Sequence, residues 1–367
     1  MNFTCQREKL LSKLNIVIKA VSQRSTLPIL QSVLITAEKN GVILTATDLE
    51  LGIESSPIPA EIKEEGSIAI EAKILYEIIR RFAGDSVTVT ADEKSGALLS
   101  SGLSELKIMG MPGDEFPVLP KIEKDGFIKV GSAELRESIR KTVFSVSQDP
   151  SKPVLNGELM EFTTDNLNVV SLDGFRISYC RAKVENGEGL SIVVPAKTLL
   201  EVSRILTGEE EEKEIKVYIT DKHILLDLGD ATIISRLLEG EFLKYEKSFP
   251  PDFKTEVRIF RQDMLASLER ASLISRDSRK TPVKLSISGD GMKITAVNEM
   301  GRVNEEIQCG VTGEDLEIAF NPKYLIDVLR VLDEDTVDMR FNTPLSPCVM
   351  APVDNADCRY LVLPLRM

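Results

Sequence analysis

Histidine is nearly absent: the 367-residue chain holds one, His223. A single imidazole excludes Ser-His-Asp and Cys-His relays and histidine-rich metal centres, and its β-rich surroundings give His223 a structural role. The 22 glycines never fall as Gly-x-x-x-x-Gly-Lys-[Ser/Thr] or Gly-x-Gly-x-x-Gly. That excludes the phosphate loop and the dinucleotide fingerprint and leaves any ATP chemistry to a partner. Cysteine is scarce and scattered (Cys5, Cys180, Cys309, Cys348, Cys358), with no Cys-x-x-Cys, which argues against a disulfide framework and a zinc cluster and predicts reduced thiols. No apolar run approaches the roughly 18 residues of a membrane span, and Arg7, Glu8 and Lys9 stand where a secretory segment needs apolar residues. These absences predict a cytoplasmic globular protein without cofactors.

Positive charge is in deficit as well. With 58 Asp and Glu against 45 Lys and Arg, the net charge is −13, which taken alone argues against nucleic acid as a partner. The inference depends on where the charges sit.

What the chain does contain is a threefold repeat. Segments Ile68–Phe82, Ile192–Leu206 and Ile318–Leu332 align without gaps. Lys73, Lys197 and Lys323 coincide, as do Leu75, Leu199 and Leu325, the acids Glu77, Glu201 and Asp327, and Arg80, Arg204 and Arg330. A second marker runs through Asp48, Asp173 and Asn298, and a third through Leu10, Leu135 and Leu265. The period is about 125 residues, an ordinary domain length. Proline-bearing junctions at Phe116-Pro117-Val118-Leu119-Pro120 and Phe249-Pro250-Pro251 set the expected domains at 1–120, 121–250 and 251–367.

Within a unit, Leu10, Leu14, Val17 and Val21 follow helical spacing. Val33–Thr36 and Val42–Thr45 flank Glu38-Lys39-Asn40-Gly41, a hairpin signal. The Lys73 segment is a second helix, followed by strands at Val87–Thr90 and Leu106–Ile108. The order helix, strands, helix, strands predicts an α+β fold, two helices plus antiparallel sheets in each of three repeats.

The helical segments are net basic, while strands and loops are acidic, as in Glu209-Glu210-Glu211-Glu212. Lys and Arg are good helix formers on any solvated face, but recurrence in all three units favours a phosphate-facing surface. If six helices lined a closed ring, packing at 8–10 Å would leave a hole of about 7 Å; twelve, from two chains, would leave roughly 24 Å, against about 20 Å for a duplex.

The combination of Arg24-Ser-Thr-Leu-Pro-Ile-Leu30, Thr47-Asp48-Leu49-Glu50, Gly113-Asp114-Glu115-Phe116-Pro117, Asn156-Gly157, Asp173-Gly174-Phe175-Arg176 and Leu363-Pro364-Leu365-Arg366-Met367 resembles the bacterial DNA polymerase III beta subunit family of replicative sliding clamps. The resemblance covers the whole chain. It implies a non-catalytic, head-to-tail homodimeric ring around double-stranded DNA, which tethers the replicative polymerase catalytic subunit for processive synthesis and is loaded by a clamp-loader ATPase. It also implies a pocket between the second and third units that captures short linear motifs of polymerases, the loader and repair proteins. The matching positions are Leu155, Leu172, Gly174, Phe175, Arg176, Ile177, Leu243, Lys247, Asn321, Tyr324, Leu345, Pro347, Val362, Leu363, Pro364, Leu365, Arg366 and Met367. Phe175 stands where relatives often carry histidine and Lys247 where arginine is common, so motif preference is expected to differ.

Matching DNA contacts are Arg24, Gln148 and Lys152; the charge pattern adds Arg80, Arg81, Lys197, Arg204, Arg276, Arg279 and Lys280. These cations would touch phosphate, setting salt dependence without sequence preference. The dimer contact is expected along edge strands around Leu106 and Ile108 in unit one and Val303 and Ile307 in unit three, with apolar help from Leu273 and Ile274.

Two rival classes are weaker. An enzyme lacks a catalytic constellation, and the carboxylates Asp333-Glu334-Asp335 read as a solvated turn rather than a metal site. An acidic scaffold would keep the apolar pocket but not the basic helices.

Overall fold

The apolar stripe of the first unit becomes the buried face of helix α1 (Arg7–Val17), where Leu10, Leu14 and Val17 point inward. A 3₁₀ turn follows, so Val21 lies beyond the helix with extended backbone. Among the described residues of the computed structural model five more helices follow: α2 (Ala72–Arg81), α3 (Ser132–Thr142), α4 (Ala196–Leu206), α5 (Arg261–Ser272) and α6 (Pro322–Val331). The structure describes residues 1–22, 25–187, 189–207, 212–274, 282–289, 291–299, 301–353 and 357–366. Helix starts and ends obey local chemistry. Asn321 caps α6 by accepting from the Lys323 backbone NH, with Pro322 in the first turn. Arg80 and Arg81 sit at the negative end of α2. In α5 the core positions are Met264, Leu268 and Ala271 rather than Leu265, which is only partly buried; the third copy of this helix is displaced by one residue from the sequence alignment.

Contacts divide the chain into two bodies, Met1–Ala133 with Arg204–Leu237, and Glu134–Ser203 with Leu238–Met367. In the first, a five-stranded antiparallel sheet runs in the order Ala60–Glu64, Asn2–Gln6, Ser86–Ala91, Gly96–Ser101, Ser104–Met109, leaving Ser104–Met109 as an edge. Gly96–Ser101 had no counterpart in the strands read from sequence. A further ladder passes from Ser32–Glu38 through Gly41–Thr47 to Leu51–Ser55, which pairs with Ala231–Arg236 of the central repeat. The seam is reinforced by Asp230, whose carboxylate accepts from Lys13 (2.6 Å) and Lys213 (2.9 Å).

The second body repeats the seam. Strand Arg176–Glu185 pairs antiparallel with Cys358–Val362, in the register Arg176↔Val362 to Cys180↔Cys358. A separate four-stranded sheet has Gly301–Ile307 on one edge, next to Gly291–Asn298. Its core packs Leu285, Ile294, Ile318 and Phe320 against Met264, Leu268, Leu325 and Leu329 from α5 and α6.

One expectation from composition fails. Cys180 and Cys358, 178 residues apart in sequence, form a disulfide. Scatter along the chain concealed a pair that the β-ladder places directly opposite, whereas Cys5, Cys309 and Cys348 are free. No helix among the described residues is long and apolar enough to cross a membrane.

Candidate functional site

The turn Asp173–Arg176 organises the groove from the bottom up. Asp173 Oδ1 accepts from the backbone NH groups of Phe175 (2.9 Å) and Arg176 (3.1 Å), while Gly174 takes φ 89°, where a side chain would be strained. The turn throws Phe175 outward, 55% exposed, and its ring stacks on Tyr324 of α6 at 6.1 Å and 20°. Behind them, Arg176 donates Nε to Asp173 (2.9 Å), Nη1 to Asp327 (2.7 Å) and Nη2 to the Phe144 carbonyl (2.8 Å). Its guanidinium lies 4.7 Å from the Tyr324 ring centroid and 5.3 Å from that of Phe144. Arg176 was expected to meet a partner; it is a buried strut with its nitrogens engaged inside the protein.

Leu155, Leu172 and Ile177 join a cluster with Val349 and Leu361 beneath the turn. Val362 is fully buried, so it supports the wall without forming its surface. Leu363 donates its NH to the Phe175 carbonyl (2.8 Å), and Leu365 its NH to Ala319 (2.8 Å), which fastens the tail segment with Pro364 and exposed Arg366. Exposed Leu243 and Lys247 flank Tyr245, which is buried against the Tyr179 ring and donates to Glu161 (2.7 Å). Leu345, 70% exposed, and half-buried Pro347 lie on the loop before strand Cys348–Pro352. Asn321 is spent on capping α6. Met367 lies outside the described residues. Sequence reading missed Asp327 as a groove support; its signal was the acid repeated at Glu77, Glu201 and Asp327.

The first repeat contains the same turn with different chemistry. Asp48 Oδ1 accepts from Glu50 NH (3.0 Å) and Leu51 NH (2.8 Å), Leu49 has φ 79°, and the Glu50 carbonyl accepts from Arg236 NH (2.9 Å). Where the second turn presents Phe175 and Leu363, the first presents Glu50 and Arg236. The apolar surface of the first turn is the exposed Leu49 side chain, that of the second the Phe175–Tyr324 stack.

Two edges stand apart from the groove. Beside strand Ser104–Met109, a cavity of about 720 Å³ is lined by Lys73, Ile74, Glu77, Ile78, Phe82 and Leu106 among others. Arg81, read from charge as phosphate-facing, also lines this cavity. Ile108 is half-buried on the same strand. On edge strand Gly301–Ile307, Val303 and Ile307 turn into the core, because the pleat puts Arg302, Asn304 and Glu306 outside. Leu273 is 68% exposed at the end of α5, and the Ile274 carbonyl accepts from Asn298 Nδ2.

Of the expected DNA contacts, Gln148 and Lys152 are exposed on the segment after α3, and Lys197 and Arg204 on α4. Arg80 shares the Glu77 carboxylate with Arg81. Arg24, Arg276, Arg279 and Lys280 lie outside the described residues. Asp333 pairs with Arg140 and Lys141, so the acidic turn is used in ion pairs.

Sequence comparison decides the family. The N-terminal, central and C-terminal domains of the DNA polymerase III beta subunit match residues 1–120, 129–244 and 246–366. The chain belongs to the DNA polymerase III beta subunit family. Its role is that of a beta sliding clamp, a non-catalytic subunit. The beta sliding clamp of Staphylococcus epidermidis is 32% identical over 377 residues, covering 100% of this chain and 99% of the relative. That of Halalkalibacterium halodurans is 33% identical over 381 residues, with both chains covered in full. Among solved beta-subunit structures, the Bacillus subtilis sliding clamp superposes with a TM-score of 0.95 at 31% identity, over 100% of this chain and 99% of that one. The Pseudomonas aeruginosa subunit gives 0.94 at 30%, with both chains covered fully.

Proposed function

We propose that two copies of this chain close head to tail into a ring around duplex DNA in the cytoplasm, tether the replicative polymerase, and are placed on DNA by a clamp-loader ATPase. The observation that carries the reading is a strand edge in each of two sheets, Ser104–Met109 beside a cavity lined by Ile74, Ile78, Phe82 and Leu106 among charged residues, and Gly301–Ile307 with exposed Leu273 beside it. Strand addition between such edges is the cheapest way to cover both. Lys73 and Arg81 line the cavity at the first edge together with Glu71 and Glu77, and Glu305 and Glu306 on the second strand pair with Arg270 and Lys293. Arg81 is therefore reassigned from DNA to this joint, and Ile108, Ile274, Val303 and Ile307 act through backbone placement and packing. Repeat boundaries fall near residues 120 and 250.

The groove of Phe175, Tyr324, Leu363, Leu243 and Leu345 takes short apolar motifs of polymerases, the loader and repair proteins. Gln148, Lys152, Arg80, Lys197 and Arg204, with Arg24, Arg276, Arg279 and Lys280, meet phosphates without reading bases. The test is retention on nicked circular DNA in the presence of a clamp loader and ATP. Loss of the protein on linearisation is expected, since topological linkage depends on DNA ends; retention unchanged by linearisation would overturn the ring.

A further inference from the structure

We propose that Cys180 and Cys358 form a thiol–disulfide exchange site whose oxidation state sets the firmness of the docking groove. The two cysteines are opposed on the ladder that joins the central and third repeats, and their sulfurs are bonded. Four pairs along the same ladder stand Arg176 and Val362, and the next backbone bond is that from Leu363 to the Phe175 carbonyl. The strand that carries Cys358 therefore runs directly into one wall of the groove. This inference rests on the docking reading of that groove.

The other thiols do not compete for the role. Cys5, Cys309 and Cys348 are free, and none of them is bonded to a second cysteine. Cys180 and Cys358 need no movement of the ladder to meet.

The exchange partner is a low-molecular-weight disulfide such as glutathione disulfide. In the reduced protein, the Cys358 thiolate attacks one glutathione sulfur, the glutathione S–S bond breaks, and one glutathione leaves as thiolate. The Cys180 thiolate then attacks the Cys358 sulfur of the mixed disulfide and expels the second glutathione. Two electrons pass from the cysteine pair to glutathione disulfide, and the two cysteine protons end on the released glutathiones. Both cysteines are buried, so exchange proceeds through local opening of strand Cys358–Val362 and is slow. Closure of the bond removes open states of that strand.

The test uses the full-length chain equilibrated at a series of glutathione to glutathione disulfide ratios. Alkylation after denaturation, read by mass spectrometry, should move from five reactive thiols to three as the ratio falls, matching the five cysteines and three free ones. A fluorescent peptide with two apolar anchors should bind the oxidised form about fivefold more tightly than the reduced form. The C180A/C358A variant should bind like the reduced protein at every ratio. Amide exchange of residues 358–362, measured without peptide, should be slower in the oxidised form. That slowing supports the staple even where no peptide binds, which separates its fate from that of the groove. Five thiols at every ratio, or equal peptide affinity and equal exchange in both forms, would overturn the proposal.

Discussion

Arg176 reaches across from the central repeat to Asp327 on α6 of the third, Nη1 to Oδ2 at 2.7 Å, with both side chains largely buried. Lys323 donates to the same carboxylate oxygen (2.7 Å). The pair holds the Phe175 turn against the helix that carries Tyr324. Replacing Asp327 by Ala leaves a buried guanidinium short of one partner, at a cost of about 3 kcal/mol. A lower Tm and at least about tenfold weaker peptide binding are expected, measured by calorimetry and anisotropy; an unchanged Tm would contradict the strut assignment.

Phe175 and Tyr324 offer a test confined to the groove surface. Phe175→Ala removes an exposed stacked ring without opening the core, so stability should change by less than about 1 kcal/mol. Peptide affinity should fall about tenfold, in the range of a lost aromatic anchor. The same substitution logic at the first repeat, Glu50→Ala, should leave peptide binding unaltered.

Assembly can be read from mass. The wild-type chain should scatter light at twice its 40.7 kDa mass, and Leu273→Asp or Leu106→Asp, each placing a charge at an apolar contact, should shift the protein towards monomer at micromolar concentration. A dimer resistant to both substitutions would relocate the joint.

Glu158 supplies the pH dependence. It is fully buried on strand Gly157–Phe162, and neither carboxylate oxygen finds a hydrogen-bond partner. The Thr142 hydroxyl, the one group that favours its charged form, is committed to the Ser138 carbonyl. Desolvation pushes its pKa up to about 8 from 4.5. Folded protein then binds a proton that unfolded protein has lost, so stability falls as pH rises from 4.5 to about 8 and levels off above that. The loss is on the order of 5 kcal/mol. Denaturant melts of Glu158→Met should lack this slope, and parallel curves for the two proteins would remove Glu158 as its source.

Much of this was legible before any coordinates. Local periodicity fixed the six helices, because Leu10, Leu14 and Val17 must share a face, and the Lys39-Asn40 hairpin followed from turn chemistry. The Met264 register was lost because a one-residue slip keeps an apolar residue at either position. Long-range pairing hid most completely. Nothing near Cys180 names Cys358, and nothing near Arg176 names Asp327; only the β-ladder brings each pair together. Charge counting alone does not place Arg81, because a cation's sign does not say which way its helix face points.

The duplicated turn carries an evolutionary consequence. Asp48 and Asp173 build the same scaffold from backbone bonds to one carboxylate, and that scaffold is indifferent to the side chain two positions on. Copies of such a turn are free to diverge where they are seen and are constrained where they are built. Exchanging Glu for Phe at one outward position and Arg for Leu at its neighbour turns a charged surface into an apolar one without altering the frame that holds both.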